Sequence, residues 1–329
     1  MLISLERSEI ISLLALTITF AAIPFLLNFN NYYLFIATTI TLLAVVVVAW
    51  NLIGGLAGQL DLAAGAYLGL GAYVAGTLLI RFELTPWLGM VLGGLVASSI
   101  ALLIGYPTFR FGIREVWYAL SSAALVPILK TLFLLWEDIG GPAERYLPYY
   151  SWSFYHLRFS TYTVYFYILG ALLIVIILIN VVVKKAKLGY YLIAIRDNEE
   201  AAEMLGINTR KYKLYALTLY SFIVGIVGGL YACITGYIHP SHFDFWLSIQ
   251  VAVLGIVGGL GSVAGPLIIT FILGGLAEYL RTTLSAYVEG LHLIFYGVIL
   301  MLIILYKPEG VSSWIKTISQ KLKTAISWK

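Results

Sequence analysis

The sequence has little charge. Of its 329 residues, 11% are Asp, Glu, Lys or Arg and 61% are hydrophobic, whereas a soluble domain carries about 25% charged residues to face water. That balance excludes a soluble chain. There is one cysteine, Cys233, so an intrachain disulfide is excluded, and its apolar surroundings suit a small packed hydrophobe. The phosphate-binding pattern GxxxxGK[ST] is missing, so any ATP that drives this chain must be bound by another. Metal ligands are sparse: His239 and His242 are separated by Pro240 and Ser241, with no acidic or cysteine set beside them, which points to loop residues rather than a metal site. The letters Gly259 to Ala264 fit a dinucleotide fingerprint, yet no soluble strand-helix unit surrounds them, and Ser262 lacks the glycine spacing of a nucleophile elbow. A membrane-embedded enzyme is therefore the weakest of the readings considered.

What the chain does have is apolar length. A bilayer core about 30 Å thick needs about 20 apolar residues per helical span. Such runs fall near residues 10 to 27, 32 to 53, 62 to 80, 87 to 106, 115 to 135, 161 to 183, 214 to 237, 247 to 260, 264 to 280 and 290 to 306. They are too long for barrel strands, so the expected fold is all-α, a polytopic transmembrane bundle of about ten spans with broken glycine-rich helices. The first run lacks a clean basic leader and a small-residue cleavage site, so it is read as a span.

Lysine and arginine set the orientation, because they are retained on the cytoplasmic side. They crowd the loop from 184 to 213 and the tail from 307 to 329, which places both segments and both termini inside. Arg81, Arg145, Arg158 and Arg281 then fall outside, and Lys130 within a span. Residues 1–310 form the membrane domain, with a cytoplasmic loop at 184–213. Residues 311–329 form a basic tail whose Val311, Trp314, Ile315, Ile318, Leu322 and Ile326 recur at helical spacing, the pattern of an interfacial amphipathic helix.

Glycine is the other conspicuous component. Gly-Gly-Leu begins at Gly54, Gly93, Gly228, Gly258 and Gly274. Glycines let helix backbones approach closely, so packing is one reading. Two clusters support another: Gly54 to Asp61 and Gly258 to Pro266 are glycine-interrupted and lie one in each half, as broken helices along a translocation path would. The candidate path residues are Gly54, Gly58, Gln59 and Asp61 with Gly258, Gly259, Gly261 and Ser262.

These segments carry a resemblance. NLIGGLAGQLDLAAGAYLGLGAYVAG is similar to the glycine-glutamine segment of branched-chain amino acid permeases. AIRDNEEAAEMLGINTRKYKL resembles that family's cytoplasmic loop, IHPSHFDFWLSIQVAVLGIVGGLGSVAGP its eighth-span region and YGVILMLIILYKPEGV its last span. The likeness covers residues 50 to 80 and 185 to 310 and fits the longer of the two paired permeases. Asp61 stands where the family segment usually has serine, and 118 to 130 matches only weakly. The resemblance implies the permease subunit of an ATP-driven (ABC) importer in the cell membrane, with no cofactor in this chain. ATP-Mg would sit on two partner ATP-binding subunits. A second homologous permease, an extracytoplasmic substrate-binding protein and membrane lipid complete its partners, and nucleic acid is not among them. Branched-chain amino acids, other amino acids, urea and short amides all remain open as cargo.

An ion-coupled secondary transporter is the alternative, and Asp61, Lys130 and Glu278 are its candidate intramembrane charges. Asp61 or Glu278 is expected to pair with Lys130. On the outer face, Trp136 to Arg158 with His239 to Trp246 suits either a docking surface for the binding protein or an aromatic belt. The segment Arg196 to Lys213 is read as the coupling loop. Asp197 and Asn198 are helix N-caps, Glu199 and Glu200 favour the first turn, and Gly206 is a stop. The resulting helix presents Ala201, Ala202 and Leu205 to a groove on a partner. Glu200, Ala201, Ala202, Leu205 and Gly206 match the spacing by which importer permeases engage their ATPases.

Overall fold

The computed structural model of the protein describes residues 7–113 and 115–284, with helical positions 294, 297–299, 301–302 and 305. Every span expected between residues 10 and 280 coincides with a helix. The span expected at 290 to 306 lies mostly outside the described residues, and the tail at 311 to 329 wholly so. Among the described residues, 8 helices are long and apolar enough to cross a membrane, and a shorter apolar one precedes them.

The first half contains α1 (Arg7–Leu26), α2 (Asn31–Trp50), α3 (Ala64–Phe82), α4 (Pro86–Arg110) and α5 (Glu115–Leu135). Helix α2 does not stop at Trp50 but widens into a π-helical turn, Asn51–Leu56, a local deformation that often marks functional positions. The second half contains α6 (Tyr162–Lys185), α7 (Lys187–Asp197), α8 (Glu199–Met204), α9 (Thr209–Thr235), α10 (Phe245–Gly258), α11 (Ala264–Ile269) and α12 (Gly275–Leu284), with a second π turn at Thr270–Gly274. Helix α10 has 14 residues, about 21 Å of rise, and the 3-10 turn Pro240–His242 before it extends the run to the 19 residues Pro240–Gly258 that count among the 8.

The centre of the bundle is α3, α4 and α9, brought together where side chains are missing. A Cβ on Gly71 would lie 1.9 Å from the Gly225 carbonyl oxygen, one on Gly225 2.7 Å from Gly94 Cα, and one on Gly93 2.9 Å from Gly71 Cα. In lipid, where helices gain nothing by hiding apolar surface, backbone approach of this kind drives association. The packing reading therefore holds for the repeats at Gly93 and Gly228, whose own Cβ would meet the Leu68 backbone.

The bundle has two unlike ends. At one, the segment between α5 and α6 folds as a cap on two short antiparallel pairs: β1 (Arg145–Tyr146) on β4 (Tyr237–Ile238), and β2 (Trp152–Ser153) on β3 (Arg158–Phe159). Arg81 and Arg145 both donate to the Asp138 carbonyl, and Arg158 to that of Cys233. Tyr146, Tyr149, Trp152, Phe154 and Tyr155 are exposed there. At the other end lie Arg110, Lys184, Lys185, Arg196 and the starts of α5 and α9. Among the described residues, Arg81, Arg145 and Arg158 thus lie at the capped end, and Arg110, Lys184, Lys185 and Arg196 at the other.

Candidate functional site

The two glycine-interrupted segments, about 200 residues apart in sequence, meet at the basic end. A Cβ on Gly55 would lie 2.8 Å from the Gly261 amide nitrogen, and that amide donates to Asn51 Oδ1 at 3.1 Å. Asn51 Nδ2 donates in turn to Asn180 Oδ1 of α6 at 3.2 Å, and Asn180 Nδ2 to the Val48 carbonyl at 3.1 Å. The π turn explains the geometry. Its wider helical ring leaves the Gly55 carbonyl free to accept from Arg196 Nη1 at 2.9 Å. Lys184 Nζ closes the other side by donating to the Gly261 carbonyl at 2.7 Å.

Glycine is required at the contact. Gly58 and Gly261 have φ of +68° and +73°, a left-handed region that costs other residues. Side chains there would also collide with Arg196, at 2.6 Å and 2.7 Å respectively. Trp50 fills the space beneath: Gly54 and Gly255 both abut its ring, and its Nε1 donates to the Asp61 carbonyl at 2.9 Å. Of the candidate path residues, Gly54, Gln59, Asp61, Gly258, Gly259 and Gly261 are buried, Ser262 is half-buried and accepts from the Gly265 amide, and Gly58 is exposed.

Asp61 is fully buried and accepts from the Tyr118 hydroxyl at 2.7 Å, the Ala63 amide at 2.9 Å and the Tyr67 hydroxyl at 3.3 Å. The pairing expected between Lys130 and Asp61 or Glu278 does not form. Phenols hold Asp61, Glu278 pairs with Arg281 one helical turn away at 2.5 Å, and Lys130 is exposed. The phenol cluster connects outward. Tyr118 packs against Phe109 of α4 with the rings tilted by 31° and their centres 4.9 Å apart, and the Lys213 ammonium lies 4.8 Å from the centre of the Phe109 ring. Lys213, itself buried, pairs with Glu199 at 2.6 Å. A continuous chain of contacts thus runs from α8 through Glu199, Lys213, Phe109 and Tyr118 to Asp61.

Helix α8 forms where the sequence indicates, with Asn198 as its cap, accepting from the Ala201 amide at 3.0 Å, and Gly206 at φ +83° beyond its end. Its apolar face is corrected by the structure. Ala202 is 2% exposed and faces the protein, whereas Met204 and Leu205 are 89% and 81% exposed. Glu200 and Ala201 are exposed beside them. Of the three residues read as the face, Ala201 and Leu205 are exposed and Ala202 alone turns inward, while Met204, between them in sequence, is exposed as well. Asn51 and Asn180 were missed as site residues, and Lys184 and Arg196 were read only as parts of the cytoplasmic loop, not as partners of the glycine segments. Their signal was present: Asn180 is a lone amide in an apolar span, and such groups are commonly satisfied across helices.

His239 and His242 are loop residues: His239 Nδ1 bonds Ser241 and His242 Nε2 bonds the Tyr237 carbonyl.

A multi-pass helical bundle broken at paired glycine segments, with a short capped helix on its basic loop, defines a membrane transport subunit. Residues 32–304 match the family described as branched-chain amino acid transport system / permease component, and the chain belongs to that family. It is 26% identical over 323 residues to the high-affinity branched-chain amino acid transport system permease protein LivM of Escherichia coli K12, covering 91% of this chain and 74% of that one. The probable branched-chain amino acid transport permease protein LivH of Methanocaldococcus jannaschii is 27% identical over 287 residues, 81% of this chain and 86% of its own. The fructose import permease protein FrcC of Rhizobium meliloti is 24% identical over 265 residues, 75% of this chain and 72% of its own. No solved structure matches the chain.

Proposed function

We propose that this chain forms the translocation path of an ATP-driven importer for branched-chain or related amino acids, with α8 receiving the stroke of separate ATP-binding subunits. The observation that carries this reading is the tie between Arg196 and Gly55: the helix leading into α8 holds the junction of both glycine segments, so a push on α8 reaches the place where two spans are broken. Two ATP-binding chains, carrying ATP-Mg, a second homologous permease and an extracytoplasmic binding protein complete the assembly. The basic end faces the cytoplasm, as retained lysines and arginines require, and the aromatic cap faces the binding protein.

The site residues divide by role. Gly54, Gly58, Gln59 and Asp61 with Gly258, Gly259, Gly261 and Ser262 form the moving junction. Glu200, Ala201, Met204, Leu205 and Gly206 meet the ATPase. The test is leucine uptake into proteoliposomes holding the full assembly. Uptake that requires the ATP-binding subunits and hydrolysable ATP supports the reading, and uptake that persists without them supports an ion-coupled carrier.

A further inference from the structure

Of the four aspartates in the chain, Asp138, Asp197 and Asp244 are exposed and Asp61 alone is buried. It lies in the connection between the spans Asn31–Leu56 and Ala64–Phe82, at the basic end, three residues from the exposed Gly58. Among the described residues no cation touches it. Its bonds come from neutral donors, the phenols of Tyr118 and Tyr67 on Oδ2 and the Ala63 amide on Oδ1. A carboxylate buried without a cation favours its neutral form, and burial pushes the Asp61 carboxyl up to about 6.

A second observation points to the same ligand. The Tyr220 hydroxyl of α9 is buried and has no partner among the described residues, and its ring meets that of Tyr67 edge-on, with centres 5.7 Å apart. An ionised carboxylate only accepts, so it engages Tyr67 and Tyr118 as donors and leaves Tyr220 idle. A protonated carboxyl also donates. With the proton on Oδ2, the longest of the three bonds, 3.3 Å from Tyr67, reverses: Tyr67 accepts and turns its own hydrogen toward the Tyr220 oxygen. The idle hydroxyl then has a partner.

We propose that Asp61 is a proton-binding site, filled from the cytoplasmic side and linked to movement of the glycine junction. A proton from water joins the carboxylate and leaves by the same route, with no other bond made or broken covalently. The site stands on its own geometry, and its effect on uptake rests on the transport reading above. The 2.7 Å bond from Tyr118 is charge-assisted while Asp61 is ionised. Protonation weakens it and loosens the start of α5, where Tyr118 begins the contacts through Phe109 and Lys213 to Glu199 of α8. Lys213 and Glu199 are the charged groups on that chain, and the Phe109 ring comes between them and the phenols. On the other side Arg196 is turned to the Gly55 carbonyl. Asp61 therefore answers to protons while those charges stay fixed.

The test is infrared spectroscopy of the full assembly with the aspartate carboxyls isotope-labelled in this chain alone, beside leucine uptake into proteoliposomes at varied pH on the ATP side. The expected result is a labelled carboxyl band that titrates well above the ordinary aspartate value of about 3.9 and is absent in Asp61→Asn. Tyr220→Phe, which removes only the unpartnered hydroxyl, should move that titration about half a pH unit lower by withdrawing the acceptor of the protonated form. Parent uptake should rise about threefold between about pH 7.5 and about pH 5.5, approaching that of Asp61→Asn, whose amide mimics the protonated carboxyl. Labelled carboxyls that titrate only near about 3.9 would overturn the site, and a titration that Tyr220→Phe leaves unmoved would overturn the role of Tyr220. A raised titration with parent and Asp61→Asn uptake in constant ratio across pH would overturn the link to the junction and leave the transport reading standing. Uptake without the ATP-binding subunits, beside a raised titration, would overturn the transport reading and leave the proton site standing.

Discussion

The Arg196 guanidinium donates to the Gly55 carbonyl at 2.9 Å while its stem packs against Gly58. One side chain of the cytoplasmic loop thus touches the first glycine segment at two points and the second at Gly261. A hydrogen bond from a charged group contributes about 1.5–3 kcal/mol, roughly tenfold or more in an equilibrium between two arrangements. Arg196→Ala is expected to lower uptake at least tenfold while ATP hydrolysis by the assembly continues without stimulation by cargo. Arg196→Lys, which keeps a donor, should recover part of the coupling. Equal loss of uptake and hydrolysis in Arg196→Ala would point to a folding role instead.

The Lys213–Glu199 pair anchors α8 on the bundle. Breaking a buried pair by removing one member costs about 3 kcal/mol, the low end for such pairs because Glu199 keeps some solvent contact. Lys213→Met should lower the melting temperature of the detergent-solubilised protein, and Lys213→Met with Glu199→Gln should recover most of the loss. A double variant as unstable as the single one would show that the pair is not the anchor.

Glycine positions should differ sharply in tolerance. Gly261→Ala forces a left-handed residue against Arg196 and is expected to reduce both stability and uptake. At Gly275 a new Cβ meets, among the described residues, only Ile40 Cδ1 at 3.6 Å, and alanine favours a helix over glycine by about 1 kcal/mol, so Gly275→Ala should be neutral or stabilising. Thermal melting of the two variants side by side checks this.

The sidedness is checked by labelling. Cysteines placed at Asn208 and Tyr149, both exposed and at opposite ends, should react only from the cytoplasmic side and only from the outer side respectively. The reverse pattern would invert the whole orientation.

Much of this was legible in the sequence because bilayer physics leaves a coarse signature. Apolar runs located the spans, and Asn198 and Gly206 bounded α8, since caps and stops act locally. The glycine segments were recognised as a pair, but their contact depends on Asn51 and Asn180, which are 129 positions apart, and no local rule relates such residues. The same limit explains Lys130. Counting charges in spans suggested an acidic partner, whereas Asp61 is held by the hydroxyls of Tyr67 and Tyr118, which a count of charges does not register. Ala202 was assigned outward because periodicity finds an apolar face without saying which neighbour it meets.

The most direct measurement of the central claim, that α8 receives the ATPase stroke, is Leu205→Arg in the reconstituted assembly. Leu205 is exposed and outside the bundle's packing, so membrane insertion and melting should be unchanged, while ATPase association weakens and uptake falls at least tenfold. Ala202→Arg is the contrasting case: it should destabilise the protein itself, because that side chain is buried. Unaltered ATPase association and uptake in Leu205→Arg would contradict the account.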